Sequence, residues 1–173
     1  MKTNRFLRII IILLILALNI GCDQVSKTII RRNMGAYNQY SYLNTHIVIQ
    51  RVENTGAFLS LGDSLSGPAK TILLNILPLI AILFGLYYIL TKPDLNRVTL
   101  LGIILIVGGG AGNLYDRIVH GSVTDFMHIN FVLFQTGIFN VADMSITAGA
   151  AIILIHSFFK KPDVVGKEPE KVG

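Results

Sequence analysis

The stretch AKTILLNILPLIAILFGLYYIL, from Ala69 to Leu90, is almost entirely apolar and is interrupted by Pro78. A helix that crosses a bilayer needs about 20 such residues. Three further runs have the same character: Phe6–Cys22, Val98–Leu114 and Ile138–Phe159, the last with Asp143 near its start. Of the 173 residues, 52% are hydrophobic and 14% charged, and the apolar ones come in blocks rather than spread as in a soluble core. The expected fold is an all-α membrane protein, a bundle of four transmembrane helices.

Basic residues set the orientation, because short segments rich in Lys and Arg stay on the cytoplasmic side. Lys2, Arg5 and Arg8 precede the first run, Lys92 and Arg97 separate the second from the third, and Lys160, Lys161, Lys167 and Lys171 follow the fourth. Lys27, Arg31, Arg32, Arg51, Lys70 and Arg117 fall on the other side or at its edge. Both termini are therefore expected in the cytoplasm, with loops at about 24–68 and 115–137 facing outward. The net charge of +5 reads as this bias and as contact with anionic membrane lipid. No basic patch interleaved with aromatics points to nucleic acid.

The first run, closed by Gly21-Cys22, has the outline of a bacterial lipoprotein signal peptide. Asn19 stands where such signals carry an aliphatic residue, and three more spans follow, so a spanning helix is the better reading. Cys22 is the single cysteine. It allows no internal disulfide and no cysteine metal site, and is expected to pack as a small residue at a helix end.

Between the spans, His46–Val52 is β-branched and bounded by turn formers, as a short strand would be, and Asn130–Phe134 reads similarly. They are expected to form a small extracytoplasmic β-sheet on the bundle, since strand edges need cover. Gly62–Gly67 reads as a loop. Residues 1–161 are expected to form one integral membrane domain, and 162–173 a disordered cytoplasmic tail.

Gly108-Gly109-Gly110-Ala111-Gly112 lacks the Lys-Ser/Thr of a phosphate loop and suits close helix packing instead. There is no HExxH and no Gly-x-Ser-x-Gly elbow. His46, His120, His128 and His156 lack metal-ligand spacing. What remains is a polar set at the outward helix ends. Asp23 and Lys27 sit one turn apart, as an ion pair would; Asn54, Asn113 and Asn140 bring amides. Asp116 and Arg117 follow the third span, Asp125 falls in the second outer loop, and Asp143 lies about one turn into the fourth helix. Asp23, Asp116 and Arg117 read equally well as caps and interfacial anchors. Asp125 and Asp143 are harder to explain that way, because a carboxylate at the edge of hydrocarbon is costly. Two carboxyls sharing one proton are what an aspartic peptidase needs.

Five segments resemble the lipoprotein signal peptidases, or signal peptidase II: Asp23-Gln24-Val25-Ser26-Lys27, Asn54-Thr55-Gly56-Ala57-Phe58, Gly112-Asn113-Leu114-Tyr115-Asp116-Arg117, Val123-Thr124-Asp125-Phe126 and Phe139-Asn140-Val141-Ala142-Asp143. They stand in family order among four spans and cover almost the whole chain. One departure is that Ala57 is followed directly by Phe58, where many members have a second alanine.

The resemblance implies an aspartic endopeptidase of the bacterial cytoplasmic (inner) membrane, multi-pass, with its active site on the outer face. It would cut prolipoproteins on the amino side of their diacylglyceryl-modified cysteine. Asp125 and Asp143 would be the catalytic pair. Asn54, Gly56, Asn113, Arg117 and Asn140 would line the substrate groove, and Asp23, Lys27 and Asp116 would support it. No metal or organic cofactor is expected, and a monomer suffices. A small transporter or proton relay is the rival, since intramembrane carboxylates serve that role too. It predicts acids at mid-depth and paired halves, whereas here the acids cluster at one end. A membrane-anchored binding module would leave the carboxylates dispensable.

Overall fold

Helices α1 (Arg5–Asn33), α2 (Gly67–Thr91), α3 (Arg97–His120) and α4 (Val141–Phe159) are long and apolar enough to cross a membrane. They belong to a computed structural model that describes residues 4–35, 38–56, 67–131 and 134–159. Asn4 and Asn96 cap α1 and α3 by accepting the N–H of Phe6 and Val98. Gly121, at φ 77°, ends α3 in the left-handed conformation that suits glycine. In α2, Pro78 can donate no main-chain hydrogen bond and crowds the turn before it. The preceding Ile72–Ile76 segment widens into a π turn.

Two helices outrun their apolar stretches. α1 continues past Cys22 to Asn33, and α3 past Leu114 to His120. Backbone hydrogen bonding does not require apolar side chains, and Asp23, Lys27 and Asp116 of these extra turns are buried in the pairs described below. The segments expected to face outward therefore start later than 24 and 115. Asp116 and Arg117 lie inside α3 rather than after it. Cys22 is exposed on the side of α1, not packed at a helix end. α4 begins at Val141 rather than Ile138, which puts Asp143 in its first turn.

α3 is the hub, touching α1, α2 and α4. Glycine makes its approach to α4 possible: a Cβ on Gly109 would strike the carbonyl oxygen of Ala142. Ile12, Leu16, Ile89, Ile104 and Val107 fill the core toward the other end.

A four-stranded antiparallel sheet follows the order β1 (Gln39–Tyr42), β2 (Ile47–Asn54), β3 (Val123–Phe131), β4 (Phe134–Gln135). β2 realises the expected strand at 46–52. The second expected strand, Asn130–Phe134, is only the junction of β3 and β4; residues 132 and 133 lie outside the described set. β3 starts at Val123, so Asp125 sits in a strand rather than a loop. Thr124 and Asp125 break the apolar pattern that would have marked it. Opposite Asp125, β2 carries a bulge: Ile49 pairs with Met127 but Val52 with Asp125. The 57–66 segment, with Ala57-Phe58 and most of the expected loop, and the 162–173 tail also lie outside the described residues.

Candidate active site

Asp125 is held by β3 and Asp143 by the first turn of α4, and the chain before α4 joins them. Phe139 pairs with Met127 across from β3, with its N–H reaching Met127 O at 2.9 Å. That brings Asn140, the next residue, beside Asp125. Asn140 is fully buried and caps α4. Its side-chain carbonyl accepts the Asp143 N–H at 2.9 Å, while its own N–H donates to Asp143 Oδ2 at 3.2 Å. This reciprocal arrangement is a capping box, with an aspartate in the usual Glu/Gln position.

Three asparagine amides frame the carboxyls. Asn140 Nδ2 donates to Asp125 Oδ1 at 2.6 Å and to Asn113 Oδ1 at 3.2 Å. Asn54 Nδ2 donates to Asp125 Oδ2 at 2.9 Å. Asn113 Nδ2, from α3, donates to Asp143 Oδ1 at 2.8 Å. All four carboxyl oxygens thus accept a hydrogen bond from a group on another element or from the cap, and neither carboxyl can turn freely. Asp125 is 3% exposed. Burial drives its pKa up from 3.8 to about 6, the Asp143 charge adds to the rise, and the Asn54 and Asn140 amides pull against it.

Behind the amides lies a buried charge cluster. Lys27 Nζ contacts Asp23 Oδ2 at 2.8 Å, Asp116 Oδ2 at 3.1 Å and Asn113 Oδ1 at 2.9 Å, and all three charged side chains are 0% exposed. Arg31 approaches Asp116 at 3.4 Å. Asp23 Oδ1 accepts the Ala142 N–H at 2.9 Å, filling another orphan donor of the α4 terminus. The cluster therefore fixes both Asn113 and the start of α4, and through them Asp143.

Arg117 Nη2 donates to Gly56 O at 2.8 Å, and Gly56 N–H donates to Asn54 Oδ1 at 2.9 Å. Among the described residues, neither Arg117 Nε nor Asn75 Oδ1, in the π turn of α2, has a hydrogen-bond partner, and both are buried. A cavity of about 550 Å³ opens beside Asp125, lined in part by Gln50, Asn54, His128 and Thr136. His128 Nδ1 is also buried with no partner among the described residues. Among the described residues no group of three or more His, Cys, Asp or Glu could hold a metal ion.

All ten residues singled out in the sequence gather at this end of the bundle, linked by the contacts above. Sequence reasoning passed over Gln24, whose Nε2 reaches Asp23, Asp116 and the Gly112 carbonyl at 3.1 Å each. It also passed over Thr124, buried between Arg31, Glu53 and Asp116. Both stand inside quoted motifs, and that was the available signal. Nothing in the sequence marked His128 or Asn75.

Four spanning helices, closed at one end by a sheet and carrying two amide-held carboxyls, describe an integral membrane enzyme of the aspartic peptidase class. Residues 12–159 match the family model described as signal peptidase (SPase) II. The chain is 34% identical over 140 residues to the lipoprotein signal peptidase of Solibacter usitatus, covering 80% of this chain and 85% of that protein. It is 38% identical over 111 residues to that of Aquifex aeolicus, covering 64% of this chain and 65% of that one. It also superposes, with a TM-score of 0.76 and 29% identity, on a solved structure described as a bacterial membrane enzyme, over 87% of this chain and 94% of that one. The chain belongs to the signal peptidase II family.

Proposed function

We propose that this protein removes signal peptides from prolipoproteins, cutting on the amino side of the diacylglyceryl-modified cysteine, with Asp125 and Asp143 as the catalytic pair. The observation that carries the assignment is the frame of Asn54, Asn113 and Asn140, which holds both carboxyls at one end of a membrane bundle, with Asp125 beside an open cavity.

Asp125, with its raised pKa, is the member suited to carry the shared proton. Asp143, ionised, draws a proton from a water between the two as its oxygen attacks the scissile carbonyl. Asp125 gives its proton to the carbonyl oxygen, and a gem-diol forms. Collapse breaks the C–N bond as Asp125 takes a hydroxyl proton back from the gem-diol and Asp143 passes its proton to the leaving nitrogen. The unpartnered Arg117 Nε and Asn75 Oδ1 offer a donor and an acceptor for substrate peptide groups. This chemistry calls for no metal or organic cofactor.

The excess of basic residues at the opposite end favours cytoplasmic termini and an outward-facing site in the bacterial cytoplasmic membrane. Signal helix and lipid chains would then arrive through the bilayer and water from outside, and one copy of the chain is enough.

The test uses purified protein in detergent with a diacylglyceryl-modified prolipoprotein, following cleavage on a gel for wild type, Asp125→Asn and Asp143→Asn. Cleavage by wild type, with kcat at least about 10³-fold lower in each folded variant, is expected. Activity surviving either substitution would end the assignment of the pair. An inert wild type would bring forward the proton-relay reading.

A further inference from the structure

A second cavity, of about 900 Å³, opens at the end of the bundle away from the aspartates, between the start of α1 and the α2–α3 connection. Arg5, Arg8 and Arg97 line its mouth together with one carboxylate, Asp94. Arg8 Nη2 donates to Lys92 O at 2.8 Å. No ion pair joins any of the three arginines to a carboxylate among the described residues. The N-termini of α1 and α3 face the same end and add positive potential.

Deeper in, the walls turn aliphatic with Ile12, Ile15, Leu101 and Ile104. At 1.5 Å rise per residue, Ile15 lies about 15 Å along α1 from Arg5, and Ile104 about 10 Å along α3 from Arg97. Guanidinium groups above a hydrocarbon cleft of that depth match the polarity of a lipid with an anionic head and an acyl chain. A soluble anion satisfies only the mouth, and an apolar helix only the walls.

We propose that this cleft binds one anionic phospholipid, its phosphate held by Arg5, Arg8 and Arg97 and an acyl chain lying between Ile11 and Leu101. The site is separate from the aspartates and does not depend on the reaction assigned to them.

The chain contains no tryptophan, so Leu101→Trp creates a single indole reporter in the cleft, at a position 40% exposed. Full-length protein is placed in vesicles holding equal fractions of dibrominated phosphatidylglycerol or dibrominated phosphatidylcholine, whose bromines quench a neighbouring indole. Quenching should favour phosphatidylglycerol by about fivefold, and adding Arg5→Gln and Arg97→Gln should bring the ratio close to unity. A reporter at Leu154, an exposed position on α4 outside the cleft, should show little preference. Equal quenching by both lipids at Leu101, a preference that survives loss of the arginines, or the same preference at Leu154 would each overturn the proposal. Retained prolipoprotein cleavage verifies folding of each variant. Should Leu101→Trp not fold, Ile11→Trp on the α1 wall carries the same measurement.

Discussion

Asn140 and Asp143 hold each other through two reciprocal hydrogen bonds, each side-chain oxygen accepting the other residue's main-chain N–H, at 2.9 and 3.2 Å. The same Asn140 amide group donates to Asp125 at 2.6 Å. One residue thus caps a membrane helix and sets the placement of both carboxyls.

Asn140→Ala removes both duties together. Loss of the cap should lower stability by about 1 kcal/mol, while misplacement of the aspartates should cut kcat by about 100-fold. Thermal unfolding in detergent and prolipoprotein cleavage measure the two effects separately. A loss of activity no greater than the stability change explains would mean that Asn140 is only a cap.

The raised pKa of Asp125 gives two pH signatures. If the protonated form is required, kcat/KM falls tenfold per pH unit above about 6. A profile confined to pH below about 4, near the ordinary carboxyl value, would contradict this. Stability follows the same group. Folded protein keeps the proton between 3.8 and about 6 while unfolded chain has released it, so the favourable contribution is complete below 3.8 and is lost as pH rises through about 6. Asp125→Asn should therefore unfold at a higher temperature relative to wild type at pH 7 than at pH 4, even as its cleavage activity is expected to be lost.

Lys27→Met leaves Asp23 and Asp116 buried without their shared cation. The expected cost is about 3–5 kcal/mol, as for other broken buried pairs. Adding Asp23→Asn and Asp116→Asn removes the uncompensated charge and should restore most of the stability. It should not restore full kcat, because Asn113 has lost the ammonium that holds its carbonyl. Chemical unfolding of the single and triple variants, with cleavage rates, decides the point.

Gly109→Ala and Gly110→Ala separate packing from composition. A Cβ at Gly109 would meet the Ala142 carbonyl, a main-chain atom next to the aspartate-bearing turn, whereas one at Gly110 would sit 3.3 Å from Cγ1 and 3.5 Å from Cδ1 of the Ile82 side chain, which can give way. The first substitution should push α4 away and abolish most activity. The second should remain near wild type in cleavage and thermal midpoint.

Much of this was legible in the residues themselves. The four apolar runs announced the spans, and the strand at 46–52 could be read from its β-branched residues. The ten residues singled out do meet at one end. Less visible was where the helices stop. Asp23, Lys27 and Asp116 look like residues leaving the membrane, yet they extend α1 and α3, because burial in pairs removes the cost that hydropathy assigns to each alone. Asp125 read as a loop residue because Thr124 and Asp125 interrupt the apolar pattern of β3.

The sequence by itself determined the membrane character and the number of spans, because transfer of apolar residues into hydrocarbon is a sum over local chemistry. Only the tertiary structure decided what the polar residues do. Asp23 caps a helix that begins at Val141, Asn54 reaches Asp125 from another strand, and Lys27 acts on Asp143 through an amide of α3. Such contacts join residues far apart in the chain, and a hydrogen bond exists only where folding brings its two ends within about 3 Å.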